Sequence, residues 1–249
     1  MYWLIKFSVE MIIKILFKNN DYIVVEKPSG LIVHPWSECA DKISLLHLLK
    51  EQTGKYIYPI HRLDRPVSGV MIFAFSSEAA NYIKEKWSDL STEKIYIGLC
   101  KGVINTAKYI SYPLHNQAKT KKQDARTNFW PLESNKHVTL ALFKLETGRY
   151  HQIRRHVGAM GNQLIGDTKY GKGNFNRFYR ENFNLHRLFL HCCGLKIDLG
   201  HGPQLFKSKL PVDLDAVIDK LGFKFTVDDN IFNYKSSELT EFSKLDNLV

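Results

Sequence analysis

The hydrophobic positions along this chain fall mainly into short runs that are typical of β-strands. The runs IIKILF and DYIVVEK are rich in β-branched and aromatic residues, are parted by residues 18–20, and end at the PSG turn of residues 28–30. This pattern predicts a β-hairpin. Further strands are predicted at residues 70–75, in KIYIGLC, in HVTLALFKLE, and in the pair LFLHCCGLKIDL and QLFKSKL.

Apolar residues at helical spacing predict four helices. The first carries the leucines of SLLHLL, the second runs from Ser77 to about Leu90, and the third follows the turn in TGRYHQIRRHVGAMG. The fourth lies in VDLDAVIDKLGF, where we expect Val212, Val217 and Leu221 to face the core.

Strands and helices are interspersed, and no Pro/Gly-rich linker divides them. We therefore predict an α+β fold over residues 11–227, with a mixed, largely antiparallel sheet and flanking helices. After Val227 the composition shifts towards Asp, Asn, Ser and Glu. Residues 228–249 are expected to form a mobile or loosely docked tail.

The composition is that of an ordinary globular protein, with 44% hydrophobic and 24% charged residues. Lys and Arg number 35 against 25 Asp and Glu, a formal charge of +10 that favours a polyanionic partner. Charge alone does not separate RNA, DNA and acidic membrane. Two basic stretches stand out, and each either binds phosphates or is a solvated face. They comprise Lys119, Lys121, Lys122 and Arg126, and Lys169, Lys172, Arg177 and Arg180.

Several classes of protein are disfavoured. The four cysteines have no CxxC or zinc-finger spacing, so we expect reduced thiols in a cytoplasmic protein. No segment is long enough to span a membrane, and charges interrupt the apolar start. His151 and His156 are five residues apart, with no HExxH and no carboxylate cluster, which argues against a metal site. Without GxGxxG or GxxxxGK[ST], no nucleotide cofactor is implied.

Residues 61–69, HRLDRPVSG, run directly into the apolar stretch VMIFAF and place Asp64 between Arg62 and Arg65. An arginine close to a carboxylate favours its charged form and can lower its pKa by roughly 1–3 units. The pattern therefore suits an ionised nucleophile. The alternative is a polar loop whose solvated ion pairs contribute about 0–1 kcal/mol each.

Four segments, EKPSG, HRLDRPVSG, EKIYIGL and TGRYHQIRRH, occur in an order that resembles the RluA-type pseudouridine synthases. The resemblance extends from about Met11 to about Phe223, so residues 1–10 are expected to be an extension or a misassigned start. It implies the pseudouridine synthase fold with a central RNA-binding cleft. It also implies a cofactor-free isomerase that converts a uridine in structured RNA to pseudouridine, and we expect a monomer.

Three details are similar to the branch of the family that acts at position 65 of tRNA. These are Pro66 after HRLDR, Trp36 shortly after IVH, and the segment LDAVIDKLGF. The variable segment LHNQAKTKKQDARTNFWPL is where substrate choice is expected to lie.

The resemblance implies three catalytic residues. Asp64 matches the family nucleophile, and attack on the ribose C1' and attack on the uracil C6 both remain open. Tyr96 matches a tyrosine that packs on the flipped uracil and takes part in proton transfer, or it is an aromatic residue of the core. Arg154 matches the arginine that pairs with the aspartate, or it lies on a helix surface.

Five further residues are expected to bind substrate. Arg62 resembles the arginine that enters the space vacated by the flipped base. His61 and Arg65 either shape the loop or meet phosphate. Lys27 helps to build the cleft or belongs to a structural turn, and Leu190 lines the uracil pocket or is simply core.

Two alternative functions stay open at this point. A synthase acting on ribosomal RNA would carry the same motifs, because RNA targets are chosen by shape and loop contacts. A non-catalytic RNA-binding or folding module would share the +10 charge. A glycoside-type hydrolase would need a second carboxylate paired with Asp64, and the neighbouring sequence offers none.

Overall fold

The computed structural model describes residues 11–35 and 43–242. Trp36, Cys39 and residues 1–10 lie outside the described residues. The strands are β1 (Lys14–Lys18), β2 (Tyr22–Lys27), β3 (Tyr58–Pro59), β4 (Ser68–Ala74), β5 (Glu93–Lys101), β6 (Lys108–Ile110), β7 (Leu114–His115), β8 (Lys122–Gln123), β9 (Thr127–Ser134), β10 (Val138–Leu145), β11 (Leu190–Asp198), β12 (Pro203–Lys207) and β13 (Thr240–Phe242). The helices are α1 (Leu45–Thr53), α2 (Ser77–Lys86), α3 (Gln152–Ala159), α4 (Gly173–Phe183) and α5 (Val212–Leu221), with 3-10 turns at Asp229–Phe232 and Ser236–Glu238.

An 11-stranded sheet has the strand order β1-β2-β4-β11-β5-β10-β9-β6-β13, with β3 beside β4 and β12 beside β11. Every pairing in this sheet is antiparallel except β4 with β11 and β6 with β13. The predicted hairpin of β1 and β2 is confirmed, as is the pair β11 and β12. The predicted α+β class, with a mixed and largely antiparallel sheet, is confirmed.

Side chains of the central strand β5 alternate between two apolar cores, one on each face of the sheet. Tyr96 belongs to the first core with Phe143 of β10, whereas Ile97 belongs to the second core with Leu142. Helices α1, α2 and α3 cover the first face, and α4 and α5 cover the second. The face that carries Tyr96 also carries the candidate active site.

Local signals explain where the predicted helices begin and end. The hydroxyls of Ser44 and Ser76 cap α1 and α2, and Gly54 ends α1 in the left-handed region at φ 67°. The second helix ends at Lys86 rather than near Leu90. The Lys86 carbonyl accepts the N–H of residue 89 and a hydroxyl from residue 92, in the turn that leads into β5.

Helix α4 was not predicted, and the predicted core face of α5 was partly wrong. Val217 is buried, but Val212 is 86% exposed because it is the first helical residue after Pro211. Leu214 and Ile218 complete the buried face of α5. Within residues 11–35 and 43–242, no helix combines the length and apolar character that a membrane span requires.

Residues 228–242 contact the rest of the fold through Ile231 and β13. The Ile231 side chain is only 3% exposed, in the second core. A Cβ on Gly194 of β11 would lie 2.7 Å from the Ile231 side chain, so the missing side chain lets the 3-10 turn approach the strand. Strand β13 pairs in parallel with β6. Residues 243–249 lie outside the described part of the chain, and the division at residue 227 stays a prediction.

Candidate active site

A cleft of about 390 Å³ opens on the first face of the sheet, and a second cavity of about 340 Å³ adjoins it. The cleft walls come from the loop before β4, from β5 and β11, and from the start of α3. Asp64 lines both cavities, together with Arg62, Tyr150, His151 and Arg154. The predicted nucleophile therefore lies where two cavities meet.

The loop that carries Asp64 is held in place by the PSG turn after β2. The Gly30 N–H donates to the Arg65 carbonyl at 2.8 Å, and Arg65 Nε donates back to the Gly30 carbonyl at 3.0 Å. The Ser29 hydroxyl donates to the Pro66 carbonyl at 2.9 Å. The EKPSG segment therefore supports the aspartate loop, and the exposed Arg65 shapes that loop through these contacts.

Lys27, predicted to bind substrate, lies beneath this loop and is fully buried. Its ammonium donates to the carbonyls of Pro28, Leu31 and Arg65 at 2.8, 2.7 and 3.3 Å. Burial lowers the pKa of Lys27 to about 7, although the negative charge of Asp64 opposes that shift. Because its donors are used by backbone carbonyls, Lys27 is placed to support the cleft rather than to line it.

Arg154 joins two carboxylates. Its Nη1 donates to Asp64 Oδ2 at 3.0 Å, while its Nε and Nη2 donate to the two oxygens of Asp167 at 2.8 Å each. Burial alone would lower the pKa of the Arg154 guanidinium, but the hydrogen bonds and charges of Asp167 and Asp64 raise it above its ordinary value. The structure thus brings the predicted partners Asp64 and Arg154 together.

Asp167 was not identified from the sequence. Its side chain is fully buried, and Oδ1 also accepts the N–H groups of Lys169 and Tyr170. The preceding Gly166 has φ 78°, and a Cβ there would lie 1.9 Å from the Arg187 carbonyl oxygen. No motif marks Asp167; the only local signal is its place directly after a glycine in LIGDTKYG.

Tyr96 and Leu190 lie in the floor of the cleft, on the neighbouring strands β5 and β11. Burial and the nearby Cys192 raise the pKa of Tyr96 well above its ordinary value, so its hydroxyl stays protonated at neutral pH. Both side chains are largely buried. They are therefore core residues whose exposed edges face the cleft, which combines the two interpretations left open for each.

His61 and Arg62 enter the cleft in different ways. The ring of His61 stacks on Trp87, with centroids 4.3 Å apart, and its Nε2 accepts the Ile72 N–H at 3.3 Å. Burial and the charge of Lys94 lower the pKa of His61 to about 3, so it is neutral and shapes the wall. Arg62 is exposed and lines both cavities.

The β7–β8 hairpin lies beside the cleft. Arg155 Nη1 donates to the His115 carbonyl at 2.6 Å, and Gln117 lines both cavities. Three lysines of the first basic stretch are exposed on this hairpin: Lys119, Lys121 and Lys122. Arg126, the fourth member, is instead paired with Asp124 and Glu146.

The second basic stretch divides into two parts. Lys169 lies at the rim of the site, where its ammonium donates to the Tyr150 hydroxyl at 3.2 Å. Arg177 and Arg180 are exposed on α4, on the other face of the sheet. Of the two basic stretches, the hairpin lysines and Lys169 therefore lie beside the candidate active site, whereas Arg177 and Arg180 do not.

The part of the chain that the structure describes contains no set of side chains suited to bind a metal ion. No group of three or more His, Cys, Asp or Glu residues there could hold a metal ion. Cys100, Cys192 and Cys193 are free and buried.

Curated sequences give a consistent comparison. A profile of the RNA pseudouridylate synthase family matches residues 21–159. The tRNA pseudouridine synthase C of Vibrio cholerae is 34% identical, with 74% of this chain and 84% of the relative aligned. The tRNA pseudouridine synthase C of Haemophilus ducreyi is also 34% identical, with 87% of this chain and 98% of the relative aligned.

Solved structures agree on the fold. Human RNA Pseudouridylate Synthase Domain Containing 4 superposes with a TM-score of 0.71 at 22% identity, covering 85% of this chain and 94% of that one. Human RNA Pseudouridylate Synthase Domain Containing 1 gives 0.67 at 22% identity, covering 84% and 93%. The predicted pseudouridine synthase fold is confirmed, and the chain belongs to the RNA pseudouridylate synthase family, as its RluA-type motifs predicted.

Proposed function

We propose that this protein converts a uridine of tRNA, at position 65, to pseudouridine with Asp64 as the nucleophile. The observation that carries the proposal is the contact of Asp64 with Arg154 at the junction of two cavities, in a chain of this family. The names of its relatives favour tRNA. Position 65 rests on the sequence resemblance to one branch of the family.

The reaction breaks the bond between C1' and N1, turns the uracil while it stays bound, and joins C1' to C5. No electron or external group is needed, so one ionised carboxylate with a well-shaped pocket suffices. Asp64 attacks either the ribose C1' or the uracil C6, and both routes need its carboxylate against the nucleotide. Its side chain is 18% exposed, which leaves room for that contact.

Arg154 orients the Asp64 carboxylate, because a charge-assisted hydrogen bond fixes the geometry of the pair. The Tyr96 ring forms part of the pocket floor and offers an apolar surface to a flipped base. Its protonated hydroxyl can donate a hydrogen bond to the flipped uracil, but at neutral pH it is not a general base. Arg62 is the exposed cation best placed to enter the gap in the RNA.

RNA approaches from the side of the cleft that bears the β7–β8 hairpin. The exposed Lys119, Lys121 and Lys122 offer three cations on this hairpin. Phosphate contacts from such lysines position an RNA without reading its sequence. We further propose a monomer that acts in the cytoplasm, where tRNA is modified.

The test is conversion of unmodified tRNA by the purified protein, with wild type compared with Asp64→Asn. Pseudouridine is located by carbodiimide treatment and reverse-transcription stops. Asp64→Asn keeps the size of the side chain but removes the nucleophile, so we expect a stop at position 65 with wild type only. Binding of tRNA, measured by filter retention, is expected to change by less than about threefold because phosphate contacts dominate affinity.

Three other outcomes would change the proposal. Product in ribosomal RNA alone would keep Asp64 but reject the tRNA target. Product from Asp64→Asn would reject the nucleophile. Tight RNA binding with no product on any RNA would favour the non-catalytic binding module.

A further inference from the structure

The side chain of His151 contacts the proposed nucleophile, yet the mechanism above gives it no role. Its Nε2 lies 3.4 Å from Asp64 Oδ2, and its Nδ1 lies 3.0 Å from the Tyr170 hydroxyl. The His151 side chain is only 10% exposed. The histidine therefore joins a tyrosine to the carboxylate in a short chain of polar contacts.

The fold fixes the orientation of this imidazole. His151 precedes α3 with φ 52° and ψ 36°, in the left-handed region that non-glycine residues adopt rarely and mostly where the surroundings enforce it. Its ring stacks on Tyr150 at 3.8 Å and meets the Tyr170 ring edge-on at 5.6 Å. The backbone conformation and the contacts with Tyr150 and Tyr170 together fix the ring, so that Nε2 points towards Asp64.

The charge state of His151 decides which nitrogen carries the proton. The pKa of His151 is lowered to about 4, mainly by burial and also by the charges of Arg154 and Lys169, while Asp64 and Asp167 oppose the shift. At neutral pH the imidazole is neutral, with one donor and one acceptor. An ionised carboxylate only accepts, so Nε2, which lies 3.4 Å from Asp64 Oδ2, is the nitrogen that carries the proton, and Nδ1 then accepts the Tyr170 hydroxyl proton.

We infer that His151, as the Nε2–H tautomer that the acceptor-only Asp64 carboxylate selects, is a positioning residue that fixes this carboxylate together with Arg154. The inference rests on the proposed function, in which Asp64 is the nucleophile. Arg154 and His151 both contact Oδ2.

Two donors are needed because the terminal torsion of an aspartate is broad. Arg154 alone would let the carboxylate turn about its contact, whereas a second donor on the same oxygen limits that rotation. A nucleophile held in the attacking geometry reacts faster than one that must be oriented in each turnover.

The first test reads the tautomer directly and needs no turnover. In the full chain labelled with 15N-histidine, long-range 1H–15N spectra at pH 7 should show His151 as the Nε2–H tautomer, with its signals assigned by their loss in His151→Gln. Asp64→Asn, whose amide can donate as well as accept, should give a mixture of tautomers, whereas Tyr170→Phe should keep Nε2–H. An Nδ1–H tautomer or an imidazolium in wild type would overturn the inference.

The second test is the kinetic profile of each variant on unmodified tRNA, with kcat and KM measured separately at pH 7. In His151→Leu we expect kcat to fall while KM changes little, because the variant loses a contact to the reacting carboxylate and none to the RNA. The fall in kcat should be roughly 10–100-fold, the size expected for a hydrogen bond to a charged group. His151→Gln places an amide N–H close to the Nε2 position and should restore most of kcat.

The other groups around Asp64 make the comparison among variants essential. Arg154, Lys27 and Tyr96 also act on Asp64, and burial lowers the pKa of Lys27 to about 7. These groups are unchanged in every His151 variant. A kinetic difference between His151→Leu and His151→Gln therefore measures the effect of the side-chain N–H donor alone. The matched control is Tyr179→Phe, which removes a buried tyrosine hydroxyl from the second core and should keep the wild-type profile.

The outcomes separate this inference from the proposed function. A wild-type profile in His151→Leu would overturn the positioning role while leaving the isomerase intact. An inactive wild type would reject the proposed function, and the tautomer spectra would still decide whether Asp64 holds the imidazole as inferred.

Discussion

A single arginine links the proposed nucleophile to the interior of the protein. Arg154 has two of its nitrogens on Asp167 and a third on Asp64. Asp167 in turn accepts two backbone N–H groups, so its orientation is set by the chain itself. Asp64 is thus positioned through a buried ion pair, and in the proposed reaction the geometry of attack would depend on a residue that need not touch the RNA.

Asp167→Asn should damage both stability and activity. The amide would turn an N–H donor towards the guanidinium and leave Arg154 without its buried partner. Breaking a buried pair by removing one member costs about 3–5 kcal/mol, and we expect that loss in the free energy of unfolding in urea at pH 7. The rate of pseudouridine formation should fall as well, because Arg154 would no longer hold Asp64.

The same variant has a predictable pH dependence. Burial alone would raise the pKa of Asp167, but the hydrogen bonds from Arg154 and from the Tyr170 N–H lower it. A lowered carboxylate pKa stabilises the fold above the unfolded value, and that stability is lost as the pH falls through the folded value. The difference between wild type and Asp167→Asn should therefore be constant above about pH 5 and shrink below it.

Asp213→Asn is the matched control, because Asp213 also forms a two-point pair with an arginine but is 47% exposed. An exposed pair contributes about 0–1 kcal/mol. Equal, small losses in both variants would show that Arg154 does not depend on Asp167.

The sequence allowed Asp64, Arg154 and Tyr96 to be predicted because each lies in a segment with a family motif. Asp167 and His151 were missed as site residues for different reasons. Asp167 reaches Arg154 only through the turn after Gly166, which no local pattern reveals. His151 was considered only as a metal ligand, and its contact with Asp64 depends on a left-handed backbone that the sequence does not display.

At the scale of elements, the parallel contact between β4 and β11 positions the aspartate loop. Gly69 pairs with Cys192 in this contact and has φ 122°, and a Cβ there would lie 2.2 Å from the Cys192 carbonyl oxygen. The loop that carries Asp64 enters β4 directly before this point. The final glycine of HRLDRPVSG is therefore a packing requirement that keeps the loop close to β11 and the cleft.

Gly69→Ala should separate the two strands. We expect a loss of about 2–4 kcal/mol in the free energy of unfolding, because a side chain at positive φ is strained and the added methyl group overpacks the contact. Activity should fall with it, since the cleft floor on β11 would move away from Asp64. Urea denaturation and single-turnover kinetics measure the two effects.

Gly158→Ala provides the comparison within the same protein. Gly158 lies inside α3, has no positive φ, and a Cβ there would meet nothing within 4 Å. Alanine should therefore stabilise the helix by about 0.5–1 kcal/mol. If Gly69→Ala were as stable as wild type, the close approach of β4 and β11 would not be required.

Strands and helices with a regular apolar pattern were predictable, and irregular ones were not. The central strands and α3 follow local spacing, and α1 and α2 are also capped by serines. Helix α4 lacks that pattern, since Tyr179 is its only buried residue among those described and its other aromatic residues are partly or fully exposed. It forms because it packs beside α5 over the second core, which is a tertiary cause.

At the scale of the whole molecule, two features depend on contacts between distant parts of the chain. Because apolar residues are sparse in residues 228–242, the sequence predicts a loose tail there. In the structure, the Ile231 side chain packs over Gly194 of β11. The positive charge was visible in the composition, but the sequence did not show which basic residues lie beside the cleft. The fold separates the hairpin lysines from the arginines of α4.

Because the fold separates these two groups of basic residues, the effect of where the positive charge lies can be tested apart from the effect of how much charge there is. Replacing Lys119, Lys121 and Lys122 together by Ala should weaken tRNA binding and reduce the slope of log K against log salt by about 2, since each lost phosphate contact contributes roughly 0.7–0.9. The control replaces Arg177, Arg180 and Lys220, which are exposed on α4 and α5, by Ala.

Both triple variants lower the formal charge from +10 to +7, because each removes three cations. Long-range attraction to RNA should therefore change equally in the two proteins. Only direct phosphate contacts at the hairpin would change the salt slope in the first variant and leave it intact in the second. Equal salt slopes in the two triple variants would mean that tRNA is attracted by net charge alone and that the hairpin beside Asp64 does not contact the phosphates of the tRNA.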